Sequence, residues 1–435
     1  MTKRTNWVVM GVLAVFGGCQ APQVESRSQA EAIESVPVTS EAPRRLPELA
    51  LGFDASDAPS IAAAQAGLRS HPDAPQSYVV LATVFLRAAR AHGAAHRAYA
   101  RDVIEVGLAR TGDAPRLRLL SAMLLLDDHR FEQVVAAATE LTGVLPYDPT
   151  PHLLIGDASL ELGRYSDAET SFEAAIDLRP DLRSYNRVGY MRWLYGDFEG
   201  AVGALELALD SGSARDPESM AWCYADLGAM YLRRGQGESA RKAAERALQL
   251  VPEYGPALSL KGRAMGEAGD FEAARDVLAR AADRSPSAES ILRVVELARA
   301  LGRDGEAESG LADALAMGEH DPRPVAHFLA RHGEQPAKAL ALAEQELRDR
   351  QNIWSWDTLA IAAARAGETT RALEALENAQ ALGTDDAEMK LHGALVALLA
   401  GTTDTAHAEL EAALKARPGV DPLLVAELRG RLGAS

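Results

Sequence analysis

The sequence is short of cysteine, of aromatic side chains and of positive charge, and each shortage excludes a class of protein. Two cysteines in 435 residues cannot build a disulfide framework or a four-thiolate zinc site. Aromatics make up 5% of the chain and strand formers are thin, which excludes an all-β fold. Lys and Arg number 45 against 62 Asp and Glu, a net charge of −17. The basic footprint of a protein that grips nucleic acid or an anionic membrane surface is therefore missing, and no nucleic-acid partner is expected. Enzyme signatures are missing too. There is no Gly-rich loop ending in Lys-Ser/Thr, no nucleophile-elbow serine and no paired-His zinc-protease motif, so no catalytic residue and no cofactor is nominated. What is abundant is alanine, the best helix former, at 83 residues. The expectation is an all-α chain of two or three domains or a repeat array.

The N-terminus carries Lys3 and Arg4, an apolar run from Trp7 to Phe16, and then Gly17, Gly18 and Cys19. A charged start, a short apolar stretch and small residues read as a secretory signal, too short to span a bilayer. Phe16-Gly17-Gly18-Cys19 resembles the lipobox of bacterial lipoproteins, with Phe16 in place of the usual Leu. That resemblance implies removal of residues 1–18 and lipidation of Cys19. Gln20, where Asp would signal inner-membrane retention, implies the outer membrane and its periplasmic face; if the lipobox is not used, the protein is secreted or periplasmic. Residues 19–51 are rich in Ser, Glu, Gln and Pro and read as a disordered tether with a reach of roughly 30 Å.

Beyond the tether the sequence repeats. Gly163, Gly196, Gly235, Gly269, Gly302, Gly333, Gly367 and Gly401 recur at intervals near 34 residues. Alanine stands five residues after seven of the eight, and again twelve after seven of the eight; nine after each is an apolar residue such as Phe172, Leu205 or Leu278. Offsets of four and seven lie on one face of a helix, so the pattern predicts a helix whose small residues let a neighbour approach closely. The glycine supplies the positive φ that turns the chain at a helix end. Prolines at 146, 180, 252, 286 and 418 then close the units.

These motifs resemble the tetratricopeptide repeat family. The clearest copy is 149–182, with Gly156, Gly163, Tyr165, Ala168, Phe172, Ala175 and Pro180. Further copies fall at 182–215, 221–254, 255–288, 288–320, 353–386 and 387–420. Residues 115–148 form a weaker copy with His129 in place of the turn glycine. The expected organisation is divergent helical repeats at 52–114, a repeat array at 115–320, a divergent repeat or hinge at 319–352 that could kink the array, and terminal repeats with a capping helix at 353–433. An insertion around 213–219 either lengthens the adjoining helices or makes a protruding loop. The resemblance implies an α-α superhelix of nine to ten helix-turn-helix repeats, right-handed and quasi-one-dimensional, with the first helix of each pair lining a concave surface that binds peptides or protein domains.

On that surface the sequence gathers its scarce aromatics with arginine: Arg183, Asn186, Arg187, Tyr190 and Trp193 at spacings of three and four, then Trp222, Arg233 and Arg263. Such residues dominate binding hot spots, and the stripe is the candidate groove for a segment bearing acidic groups. The alternative is that Tyr190 and Trp193 fill the core between repeats. The Lys and Asn of a chaperone-binding carboxylate clamp are absent. No metal site is expected: His92 and His96 read as a solvated pair on one helix, His320, His327 and His332 lack a ligand-like spacing, and Cys223 reads as a small buried hydrophobe. The functional expectation is an outer-membrane-anchored scaffold or assembly adaptor for cell-envelope, pilus or secretion machinery, with a protein or peptide in the groove. The alternative is a glycan-binding lipoprotein of polysaccharide export or cell-wall metabolism.

Overall fold

Each turn glycine of the repeat does what its spacing requires. In the computed structural model, which describes residues 58–92, 94–319 and 321–433, all eight have φ between 67° and 89°. The lipobox with Cys19 and the tether lie outside the described residues. After seven of the eight glycines a helix starts two residues on, as at Tyr165–Leu178 after Gly163 and Phe198–Asp210 after Gly196. The seven alanines at each of the two offsets are at most 3% exposed. They bring second helices onto first helices at close range. Small and large residues are matched across the contact: a Cβ on Gly156 would run into the Phe172 ring.

The described residues hold 22 helices and no strand. Ten consecutive antiparallel pairs run from Pro75–His92 with Ala94–Thr111 to Ala387–Leu399 with Thr403–Ala416. Ala58–Ser70 precedes them and Pro422–Leu432 follows. Asp421 caps this last helix, accepting from Leu424 N at 3.1 Å, with Pro422 as its first residue. No described helix is long and apolar enough to cross a membrane.

The insertion near 213–219 becomes a turn at 211–216 and a longer first helix, Pro217–Arg233, of 17 residues. Two expectations change. His92 ends one helix and His96 lies in the next, so they do not share a helix, and His96 is buried. The divergent stretch is the helix pair Pro322–His332 and Pro336–Asp349, and its apolar side chains share one cluster with those of 288–314 and 359–432. Its turn is one residue longer, because Gln335 follows Gly333 with a second positive φ, 43°. The buried register therefore slips by one. Ala339, Ala343 and Glu346 face inward, and Lys338 and Gln345 leave the alanine positions.

The array closes on itself. The segment entering Ile353–Arg365 meets the pair Thr150–Glu161 and Tyr165–Leu178, six pairs earlier. Gln351 N donates to Glu161 O at 2.8 Å, Asn352 Nδ2 to Glu161 Oε2 at 2.7 Å, and Ile353 N to the Tyr165 hydroxyl at 2.8 Å. One pair further along, the Thr384 hydroxyl donates to Leu194 O. Arg233 pairs with Asp386 at 2.7 Å, Arg234 with Asp385, and Arg417 with Glu267. Three turn glycines are part of this seam: a Cβ on Gly163 would lie 2.5 Å from Gln351 O, on Gly196 2.9 Å from Gly383 O, and on Gly235 3.2 Å from Ala416 O. At the fourth seam position His129 keeps the left-handed turn without glycine, φ 60°, and sets its Nε2 2.7 Å from an Arg350 guanidinium nitrogen.

Candidate functional site

The closed array lines a central cavity, half-open to solvent, of about 750 Å³. Its wall comes almost wholly from first helices, whose polar faces point inward. Of the candidate groove residues, Asn186, Arg187, Tyr190, Trp193, Trp222 and Arg233 line it. Arg183 lies instead at a separate depression with Arg116 and Asp148, and Arg263 is not among the lining residues.

Most of these side chains hold one another. Arg187 is bidentate on Asp157, at 3.1 and 2.7 Å, and covers the Trp222 ring at 4.8 Å. Asn186 Nδ2 donates to Asp226 at 2.9 Å. Trp193 is 4% exposed and stacks on Trp354, with centroids 5.3 Å apart and planes 10° from parallel. Arg233 lies over both indoles, 5.2 and 4.6 Å from their centroids. Trp354 Nε1 donates to the Tyr190 hydroxyl at 3.2 Å. The stripe thus meets the seam, and Tyr190 and Trp193 pack against the far end of the array. No local spacing in the sequence links Trp354 to the stripe, because only closure brings it beside Trp193.

Charges on the wall are mostly matched. Arg293 pairs with Glu289 at 2.9 Å. Arg331 reaches Asp421 at 2.6 Å and Glu296 at 2.9 Å. Arg350 reaches Glu346 at 3.3 Å and Glu161 at 3.4 Å. Burial would raise the Glu296 carboxyl, but Arg331, His332 and Arg293 outweigh it and hold it at about 2. Asp226 goes the other way: burial pushes it up to about 6, with Asn186 and Arg187 offsetting only part. Cys223 is fully buried and its thiol is pushed up to about 12 by that burial, which makes it inert at neutral pH.

Arg323 is the exception. It lines the cavity, half-buried, and makes no ion pair or hydrogen bond among the described residues. Arg263, also without such a partner, sits near Arg293 and Arg233. Burial and those two cations lower its guanidinium to about 9, still charged at neutral pH.

The repeat geometry and the sequence comparisons agree. A tetratricopeptide repeat family model matches residues 153–219 and 358–421, and a second one matches 231–293. The chain carries tetratricopeptide repeats. No curated protein matches the sequence. Among solved structures, the human IFIT1 dimer with PPP-AAAA is 14% identical, with 85% of this chain and 94% of that one covered and a TM-score of 0.48. PilW, a type IV pilus biogenesis factor, is 20% identical over 46% of this chain and 92% of its own, TM-score 0.36. MamA is 19% identical over 39% and 91%, TM-score 0.29. These are likenesses of helical architecture. The concave face of these tetratricopeptide repeats is a wall whose polar side chains are mostly paired with neighbouring repeats, and at Glu161, Tyr190 and Arg233 across the seam.

Proposed function

We propose that this protein is a non-enzymatic scaffold of the bacterial cell envelope, held at the periplasmic face of the outer membrane through lipidated Cys19, that takes an acidic segment of a partner protein into its central cavity. The observation that carries this reading is Arg323. Five of the six arginines on the cavity wall have a carboxylate partner, and Arg323 alone faces the cavity without one. A half-buried guanidinium is costly to leave unmatched, so an incoming carboxylate gains a charge-assisted, bidentate contact there. The volume lies within the roughly 300–1,000 Å³ of ligand pockets, enough for a few residues of a segment. Glycan binding is the weaker reading, because the faces of Trp193 and Trp354 are occupied by each other and by Arg233, and Arg187 lies over the Trp222 ring.

The test is crosslinking and mass spectrometry from native membranes with the full chain and with Arg323→Glu, its fold checked by circular dichroism. The expected result is a protein partner captured by the native chain and lost on charge reversal. Equal capture by both, or capture of glycan alone, overturns the reading. Anchoring is tested separately: palmitate incorporation is expected, and Cys19→Ser is expected to release the protein from the membrane.

A further inference from the structure

Another cluster on the cavity wall is explained neither by closure nor by Arg323. His327, Asp357 and His392 come from three consecutive first helices, Pro322–His332, Ile353–Arg365 and Ala387–Leu399. One ligand atom from each lies within 4.8 Å of the other two. His392 is fully buried, with Nδ1 2.7 Å from Asp357 Oδ2. The His327 ring stands edge-on to the His392 ring, centroids 5.2 Å apart, and its side chain lines the cavity. Glu388, one helical turn before His392 on the same face, lines the same wall.

We propose that His327, Asp357 and His392 form a binding site for a divalent transition-metal ion, best suited to zinc. A buried His–Asp pair by itself accounts for the 2.7 Å contact. It does not account for the second imidazole beside it, nor for Asp357 Oδ1, buried without a hydrogen-bond partner. Native interiors rarely leave such atoms unmatched. Two imidazoles and one carboxylate, without thiolate, are the donor set of an open zinc site. Around a tetrahedral ion with bonds of about 2.0–2.1 Å, ligand atoms sit roughly 3.3 Å apart, so the widest pair has to close by up to about 1.5 Å and the His392–Asp357 pair has to open by about 0.6 Å. Side-chain rotation supplies that. The ion displaces the proton shared by His392 and Asp357, which passes to solvent. It enters through the cavity on the His327 side, and its fourth position faces the cavity, open to water or to Glu388. In the sequence His327 lies nearest His320 and His332; the superhelix pairs it with residues of the two following repeats instead. This inference is independent of the partner-binding reading, since neither Arg323 nor an acidic segment enters it.

The test uses the full chain without a histidine tag, stripped with chelator and titrated with zinc chloride by calorimetry. One equivalent is expected to bind. His327→Gln, on the cavity wall, is expected to weaken binding at least tenfold, whereas His407→Gln, at an exposed position, leaves it unchanged. Cobalt chloride is expected to give the visible absorption of a tetrahedral site. A readout free of substitutions comes from imidazole nitrogen resonances: zinc should shift His327 and His392 and spare His407. No saturable binding, equal binding by both variants, or shifts confined to exposed imidazoles overturns the proposal.

Discussion

The indole rings of Trp193 and Trp354 lie parallel, 5.3 Å apart, at the place where the repeat array meets itself. With Arg233, Tyr190 and Asp386 they form one cluster of the seam, joining residues as much as 164 positions apart.

Trp354→Ala removes the stack, one cation–π contact and the hydrogen bond to Tyr190. It is expected to cost about 3 kcal/mol by urea unfolding, within the range for large-to-small aromatic truncations. It is also expected to increase the radius of gyration in small-angle scattering. An unchanged radius would mean that the seam is held elsewhere.

The turn glycines separate conformational strain from contact. Gly163 and Gly269 both have positive φ, 72° and 89°, so alanine at either is strained by about 1–2 kcal/mol. At Gly269 a Cβ meets nothing within 4 Å, whereas at Gly163 it lies 2.5 Å from Gln351 O. Gly163→Ala should therefore be clearly the more destabilising in parallel denaturant titrations. Equal losses would show that the seam is slack at that point.

Glu346 sits 4% exposed where other repeats bury alanine, and Arg350 is its partner. Arg350→Ala strands that carboxylate and is expected to cost about 3 kcal/mol, the scale for breaking one side of a buried pair. Adding Glu346→Ala should recover a good part of the loss. Simple additivity of the two changes in a double-mutant cycle would contradict the coupling.

Asp226 makes stability depend on pH. Burial raises its carboxyl to about 6 from an ordinary 3.8, so the folded state holds the proton more tightly than the unfolded one. Its favourable contribution is complete below about 3.8 and is lost as pH rises through about 6. Asp226→Asn should raise the unfolding free energy from urea titration at pH 8 by an amount on the order of 1–2 kcal/mol, and the gain should vanish near pH 4. A gain that persists at pH 4 would assign the effect to packing.

Legibility in the sequence followed the range of the interactions. The glycine and the alanines five and twelve residues on mark contacts between neighbouring helices, and these recur, so periodicity exposes them. The slip at 336–349 hid behind the same frame, because one added turn residue, Gln335, moves every buried position by one. The seam has no period at all. Nothing in the local sequence connects Glu161 with Asn352 or Trp193 with Trp354; those pairs depend on how the small rotation per repeat accumulates over six pairs. The stripe from Asn186 to Arg233 was legible as a cluster of unusual residues, and the fold assigned most of them to one another.

Closure changes how the chain must fold. An open array of repeats gains stability one neighbour at a time, and its ends can fray independently. Here residues 350–417 complete contacts for residues 129–267, so the early repeats finish synthesis with their half of the seam, Trp193 and Arg233 included, still exposed. The entropy of closing so large a loop grows only slowly with its length, and the seam contacts can offset it, but they form last. Such a ring should melt as one cooperative body, with a slow final folding step whose rate depends on the C-terminal two pairs.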